Sequence, residues 1–146
     1  MNWLPKKTVL VPIDFSEPSL EAVRLGRSMV EDVSGLHVLY VLQPISVLEP
    51  GVTWGTVTDE TREENVLKSM HEKLDDPELE GAAFKALHGS PGIEIADYAE
   101  KIHADLIVIP SHGYGSFKRL LLGSVADRVL HHAPCPVLVL RRNSAE

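Results

Sequence analysis

Hydrophobic positions along the chain fall into two alternating patterns. Four short runs are almost continuously apolar: Thr8 to Ile13, Leu36 to Leu42, Leu106 to Ile109 and Val137 to Leu140. Short unbroken runs rich in β-branched residues fit strands buried on both faces. A fifth run, Ala82 to His88, is poor in branched residues and is expected at a sheet edge. Between the runs, apolar residues recur at helical spacing. Ala22, Leu25, Met29 and Val33 mark a helix from Glu17 to Asp32, with Ser16 as its N-cap and Pro18 in its first turn. Val66, Leu67, Met70 and Leu74 mark a second, from Asp59 to Leu74, whose acidic start reads as a solvated face. Ser90-Pro91 opens a third, which buries Ile95, Ala99 and Ile102. A fourth runs from Ser124 to about His132, where Ser124 followed by Asp127 has the spacing of a helix start.

Strands alternating with helices predict a parallel sheet covered on both faces, joined by right-handed crossovers. A chain of 146 residues is expected to form one domain. The connection from Gln43 to Thr58 is the exception to the short loops of such folds, which take about two to six residues. It carries Pro44, Pro50, Gly51, Gly55 and Trp54. Three roles stay open for Trp54: covering a core edge, closing over a ligand, or meeting a second subunit.

Composition removes several function classes. Lys and Arg number 14 against 21 Asp and Glu, a net charge of −7, which argues against non-specific nucleic-acid binding. The single cysteine, Cys135, cannot form an internal disulfide, and a reducing, cytoplasmic location is expected. The first residues lack the apolar core of a signal peptide, and no apolar run approaches the roughly 20 residues of a membrane span, so no membrane partner is expected. His131 and His132 are neighbours, so on a helix they point about 100° apart and do not form a metal pair. No metal site is expected.

The stretch with the most chemistry runs from Ala104 to Arg128. Pro110 ends the strand, since it donates no ladder hydrogen bond. Gly113 and Gly115 follow, flanked by Ser111, His112 and Ser116, and then the small pair Gly123-Ser124 opens a helix. A strand, a glycine loop and a helix start place unpaired N–H groups where an anion is attracted. There is no G-x-x-x-x-G-K-[ST], no G-x-G-x-x-G directly after a strand and no G-x-S-x-G elbow. No general base stands beside the cradle, so no catalytic residue is expected and at most slow hydrolysis.

The chain resembles the universal stress protein family. Its nucleotide-binding branch carries Gly, two residues, Gly, nine residues, then Gly-Ser or Gly-Thr. Gly113, the nine residues Tyr114 to Leu122, and Gly123-Ser124 match that spacing, while Pro110 stands where the first glycine belongs. The resemblance continues through K-T-V-L-V-P-I-D-F-S-E from Lys7, H-G-S-P from His88 and A-P-C-P-V-L-V-L from Ala133. It implies a doubly wound, five-stranded parallel α/β sheet of order 3-2-1-4-5. In that order the chain reverses between strands one and four, and ligands bind outside the carboxyl ends at such a reversal. Asp14 and the 110–125 loop would meet there. The expected nucleotide site is therefore Pro12, Ile13, Asp14, Val41, Pro110, Ser111, His112, Gly113, Gly123, Ser124 and Val125. The resemblance implies that Pro12 and Ile13 line an adenine pocket and Val41 faces the base edge. Asp14 either accepts from ribose or base, or orients the turn. Ser124 either contacts phosphate or caps the helix.

The leading expectation is a cytosolic stress-response protein that binds ATP, with or without Mg²⁺, and senses or signals rather than turning substrate over. The alternative is a nucleotide-free dimeric adaptor of the same fold, and the third is a small-molecule kinase or transferase. A homodimer through the last strand, Pro136 to Leu140, is expected, because exposed apolar edges invite pairing and the resembled family often dimerises so.

Overall fold

The structure is a computed structural model that describes residues 3–44, 58–111 and 122–141. Five strands are formed where apolar runs occur: β1 (Val9–Pro12), β2 (Leu36–Leu42), β3 (Ala83–His88), β4 (Leu106–Pro110) and β5 (Val137–Leu140). All four pairings are parallel and the order is β3-β2-β1-β4-β5, so β1 is central and β3 and β5 are edges. Among the described residues four α-helices connect them: α1 (Glu17–Met29), α2 (Asp59–Lys73), α3 (Pro91–Lys101) and α4 (Ser124–His132).

The two-residue alternation of the strands builds two cores. Val9, Val11, Val38, Leu106 and Val108 point to one face, where Leu20 and Val23 of α1 and Met70 of α2 cover them. Leu10, Leu39, Ile107 and Ile109 point to the other, against Ile95 and Ala99 of α3 and Ala126 and Val129 of α4. Two helices per face explain why the central strands carry almost no polar residue. The polar exception is His37, whose ring lies against Tyr98 of α3 at 6.3 Å. Helix α1 sits close on β1 because residue 26 is glycine: a Cβ there would stand 2.7 Å from Cγ2 of Val11.

Helix α1 ends at Met29, three residues short of the expected Asp32. Lys6 forms an isolated parallel bridge with Val30, its N–H donating to Met29 C=O at 2.8 Å and its C=O accepting from Glu31 N–H at 2.7 Å. The segment before β1 thus claims backbone groups that a longer helix would use. The acidic start of α2 is not wholly solvated, because Nε2 of His88, at the end of β3, lies 3.3 Å from Oε2 of Glu63.

Candidate functional site

Strands β1 and β4 lie side by side at the centre of the sheet, yet the chain leaves them in opposite directions. After β1 it turns to α1 on one face; after β4 it goes on to α4 on the other. A crevice of about 280 Å³ opens at this divergence, at the carboxyl ends of the strands. Its apolar lining includes Ile13, Leu39, Val41, Ile95 and Ile109. Its polar lining includes Asp14, Ser19, Tyr40, Gln43, Ser111 and Ser124.

The β1–α1 turn is tightly determined. Ile13 N–H donates to Leu39 C=O at 2.8 Å, extending the β1–β2 ladder by one step. Asp14 Oδ1 accepts from Ser16 N–H at 3.0 Å, so one carboxylate oxygen orients the turn while the residue lines the crevice. Phe15 holds φ at 65°, a left-handed conformation that costs a bulky residue on the order of 1–2 kcal/mol. Its ring packs on Tyr40 with centroids 5.0 Å apart, a contact that holds the turn against β2. Ser16 caps α1 as expected, accepting from Ser19 N–H at 3.3 Å. Ser19 Oγ in turn accepts from Asp14 N–H at 3.3 Å and donates to Ser16 C=O at 2.9 Å. Ser19 is a site residue that pattern reading missed. Its signal was a serine three positions after the capping serine, on the apolar face of α1 beside Ala22 and Val23.

On the other side, hydrogen bonding revises the expected cradle. Ser111 N–H donates to Leu140 C=O at 2.9 Å, and Gly123 N–H donates to Ser111 C=O at 2.7 Å. Those two amides are occupied and do not face a ligand. Gly123, not Ser124, is the N-cap of α4, with φ −70° and ψ 158°, so neither a positive φ nor a serine cap exists there. The Ser111 carbonyl fixes Gly123 one residue ahead of the helix, and Ser124 becomes its first helical residue. The first intrahelical bond runs from Asp127 N–H to Gly123 C=O at 2.9 Å. This leaves the N–H groups of Ser124, Val125 and Ala126 without a partner among the described residues, and all three residues line the crevice. Ala126 is a further residue the sequence did not single out.

Pro110 also lines the crevice. Ile107 and Ser111 donate toward β5, so by the two-residue alternation of a strand position 110 faces β1 instead. There the β1–β4 ladder has already ended, its last paired residues being Leu10 and Ile107. A proline is tolerated because no ladder bond is lost. His112 and Gly113, and Trp54 of the long connection, lie outside the described residues. Of the expected site, the structure brings together Pro12, Ile13, Asp14, Val41, Pro110, Ser111, Gly123, Ser124 and Val125.

Among the described residues no Lys, Arg or His lines the crevice, and no three His, Cys, Asp or Glu side chains stand close enough to hold a metal ion. Burial and, secondarily, the Asp105 carboxylate push the Cys135 thiol above its ordinary range, which suits a small apolar filler rather than a nucleophile. No helix of the described residues is long and apolar enough to cross a membrane.

Three known proteins are similar to this chain. The universal stress protein MJ0531 of Methanocaldococcus jannaschii is 32% identical over 145 residues, covering 96% of this chain and 85% of that one. The solved structure of protein MJ0577 from the same organism superposes with a TM-score of 0.73 at 26% identity, over 96% of this chain and 99% of that chain. A universal stress protein from Archaeoglobus fulgidus, solved in complex with dAMP, superposes with a TM-score of 0.57 at 21% identity, over 93% and 98% of the two chains, a likeness of fold. The sequence profile described as universal stress protein family matches residues 6–141, and the chain belongs to that family.

Proposed function

We propose that the crevice between β1 and β4 binds an adenine nucleotide and that the protein acts in a stress response by sensing or signalling through that ligand. The observation that carries this reading is the convergence of the Asp14 turn and three unpartnered amides, Ser124 to Ala126, on one crevice with an apolar wall. The amides suit phosphate, the apolar wall of Ile13, Val41 and Ile109 suits a base, and the Asp14 carboxylate suits ribose hydroxyls. A relative of the same fold was solved with dAMP, which supports the ligand class. ATP is the ligand that the resemblance brings, and Mg²⁺ would have to be held largely by its phosphates. A half-buried thiol suits a reducing cytoplasm.

A homodimer is part of the proposal. Strand β5 has β4 on one side and, among the described residues, no strand on the other, and all four of its residues are half-buried. Pairing of two such edges about a twofold axis would cover them. Native mass spectrometry of protein purified without added ligand tests the nucleotide reading. A co-purified or readily exchanged adenine nucleotide is expected; protein that neither carries nor takes up one contradicts it and leaves the adaptor role.

A further inference from the structure

We propose that Phe15 is a positioning residue for the ligand, its left-handed backbone aiming the Asp14 carboxylate into the crevice, an inference that rests on the nucleotide reading above and deepens it. Among the described residues two non-glycine residues hold a positive φ, Phe15 at 65° and His103 at 54°. Helix closure accounts for His103, which follows α3. Its N–H donates to Glu100 C=O at 3.2 Å and Ala104 N–H donates to Ala99 C=O at 2.9 Å, the paired bonds of a helix C-terminus. Phe15 closes no helix. It stands between β1 and α1, directly after Asp14, in a conformation unfavourable for a bulky side chain. Such residues persist where their surroundings over-determine them, and they cluster at binding sites.

The bonds that span Phe15 show what its conformation sets. Asp14 N–H donates to Ser19 Oγ at 3.3 Å, and Asp14 Oδ1 accepts from Ser16 N–H at 3.0 Å. Both bonds tie Asp14 to residues beyond Phe15, so the backbone angle at Phe15 fixes where the carboxylate stands. Asp14 lines the crevice, whereas Phe15 is not part of the lining. Its ring packs on Tyr40 instead, with centroids 5.0 Å and planes 31° apart, among the partly buried residues of the α1 face. That packing offsets the cost of the backbone conformation. The ring supports the bend, and the bend aims Asp14 at the ribose.

Titration calorimetry on the full chain with AMP and its 2′,3′-dideoxy analogue tests this, because only AMP offers ribose hydroxyls to Asp14. The wild type is expected to bind AMP about tenfold tighter than the analogue, as a hydrogen bond to a charged acceptor implies. Phe15→Gly removes the ring and keeps the conformation, since glycine adopts a positive φ freely. Phe15→Val keeps more apolar volume and abandons the conformation, which a β-branched residue does not hold. The preference for AMP is therefore expected to stay within about twofold of wild type in Phe15→Gly and to fall to about one in Phe15→Val. A merely structural ring gives the opposite order, since valine leaves the smaller cavity. Circular dichroism checks that both variants fold. If Phe15→Val does not, Phe15→Gly decides alone. Loss of the preference in Phe15→Gly, or its retention in a folded Phe15→Val, overturns the positioning role. A wild type that binds both nucleotides equally overturns the pairing of Asp14 with ribose, and this inference with it. A wild type that binds neither overturns the nucleotide reading itself, and again this inference.

Discussion

Two serines show what a residue's neighbours add to its identity. Ser16 and Ser124 both stand at helix starts with an acid close by; in the sequence Ser16 reads as a cap and Ser124 as either a cap or a phosphate contact. Only Ser16 is a cap: its Oγ accepts from Ser19 N–H while it is 3% exposed. Ser16→Ala is therefore expected to cost about 1 kcal/mol of stability, and Ser124→Ala less than about 0.5 kcal/mol, both read from urea unfolding. A large loss in Ser124→Ala would mean that α4 begins elsewhere. The difference was not legible because it is set by a bond from Gly123 N–H to the Ser111 carbonyl, across a loop that no local pattern describes. Pro110 is the other residue whose role depends on direction. Its position faces the gap beside β1, so Pro110→Gly places a new N–H toward the crevice. AMP binding is expected to tighten by up to about tenfold in calorimetry, the worth of one hydrogen bond. The same change is expected to lower stability by about 1 kcal/mol through the freer unfolded chain.

At the scale of elements, periodicity carried most of the information. Strands β2 and β5 match their apolar runs from end to end, and β3 lies at an edge as its unbranched composition indicates. Helix α1 was read too long because the competing strand-like bridge comes from Lys6, far from its C-terminus in sequence. Strand β2 also carries a polar residue that only packing explains. Burial pushes the His37 imidazole below its ordinary value of 6.5, and its Nδ1 is buried without a hydrogen-bond partner among the described residues. The folded protein thus resists a proton that the unfolded chain accepts. Between the two values the unfolded chain binds more protons, so stability rises with pH there. The contribution is complete above about pH 6.5 and is lost as the pH falls through the depressed folded value. Melting temperature is expected to drop from about pH 7.5 to about pH 5.5, and His37→Phe is expected to remove part of that drop. An unchanged pH profile in the variant would assign the drop to other groups.

For the whole molecule, the order β3-β2-β1-β4-β5 is what turns scattered residues into a site. Alternation of strands and helices indicated a parallel sheet; it did not indicate which strands would be neighbours, and that came from the family resemblance. Once β1 and β4 are adjacent, the crevice between the Asp14 turn and α4 follows. The same order leaves β5 at an open edge, where the proposed twofold pairing predicts a dimer in light scattering at micromolar concentration. Val139→Lys is expected to shift it to monomer, and a dimer that survives this change would place the interface elsewhere. The central claim is that an adenine nucleotide occupies the crevice. Residue-resolved NMR titration with AMP tests it most directly. The account predicts amide shifts that cluster at Asp14, Val41 and Ser124 to Ala126; a spectrum that leaves those amides unmoved at millimolar nucleotide would contradict it.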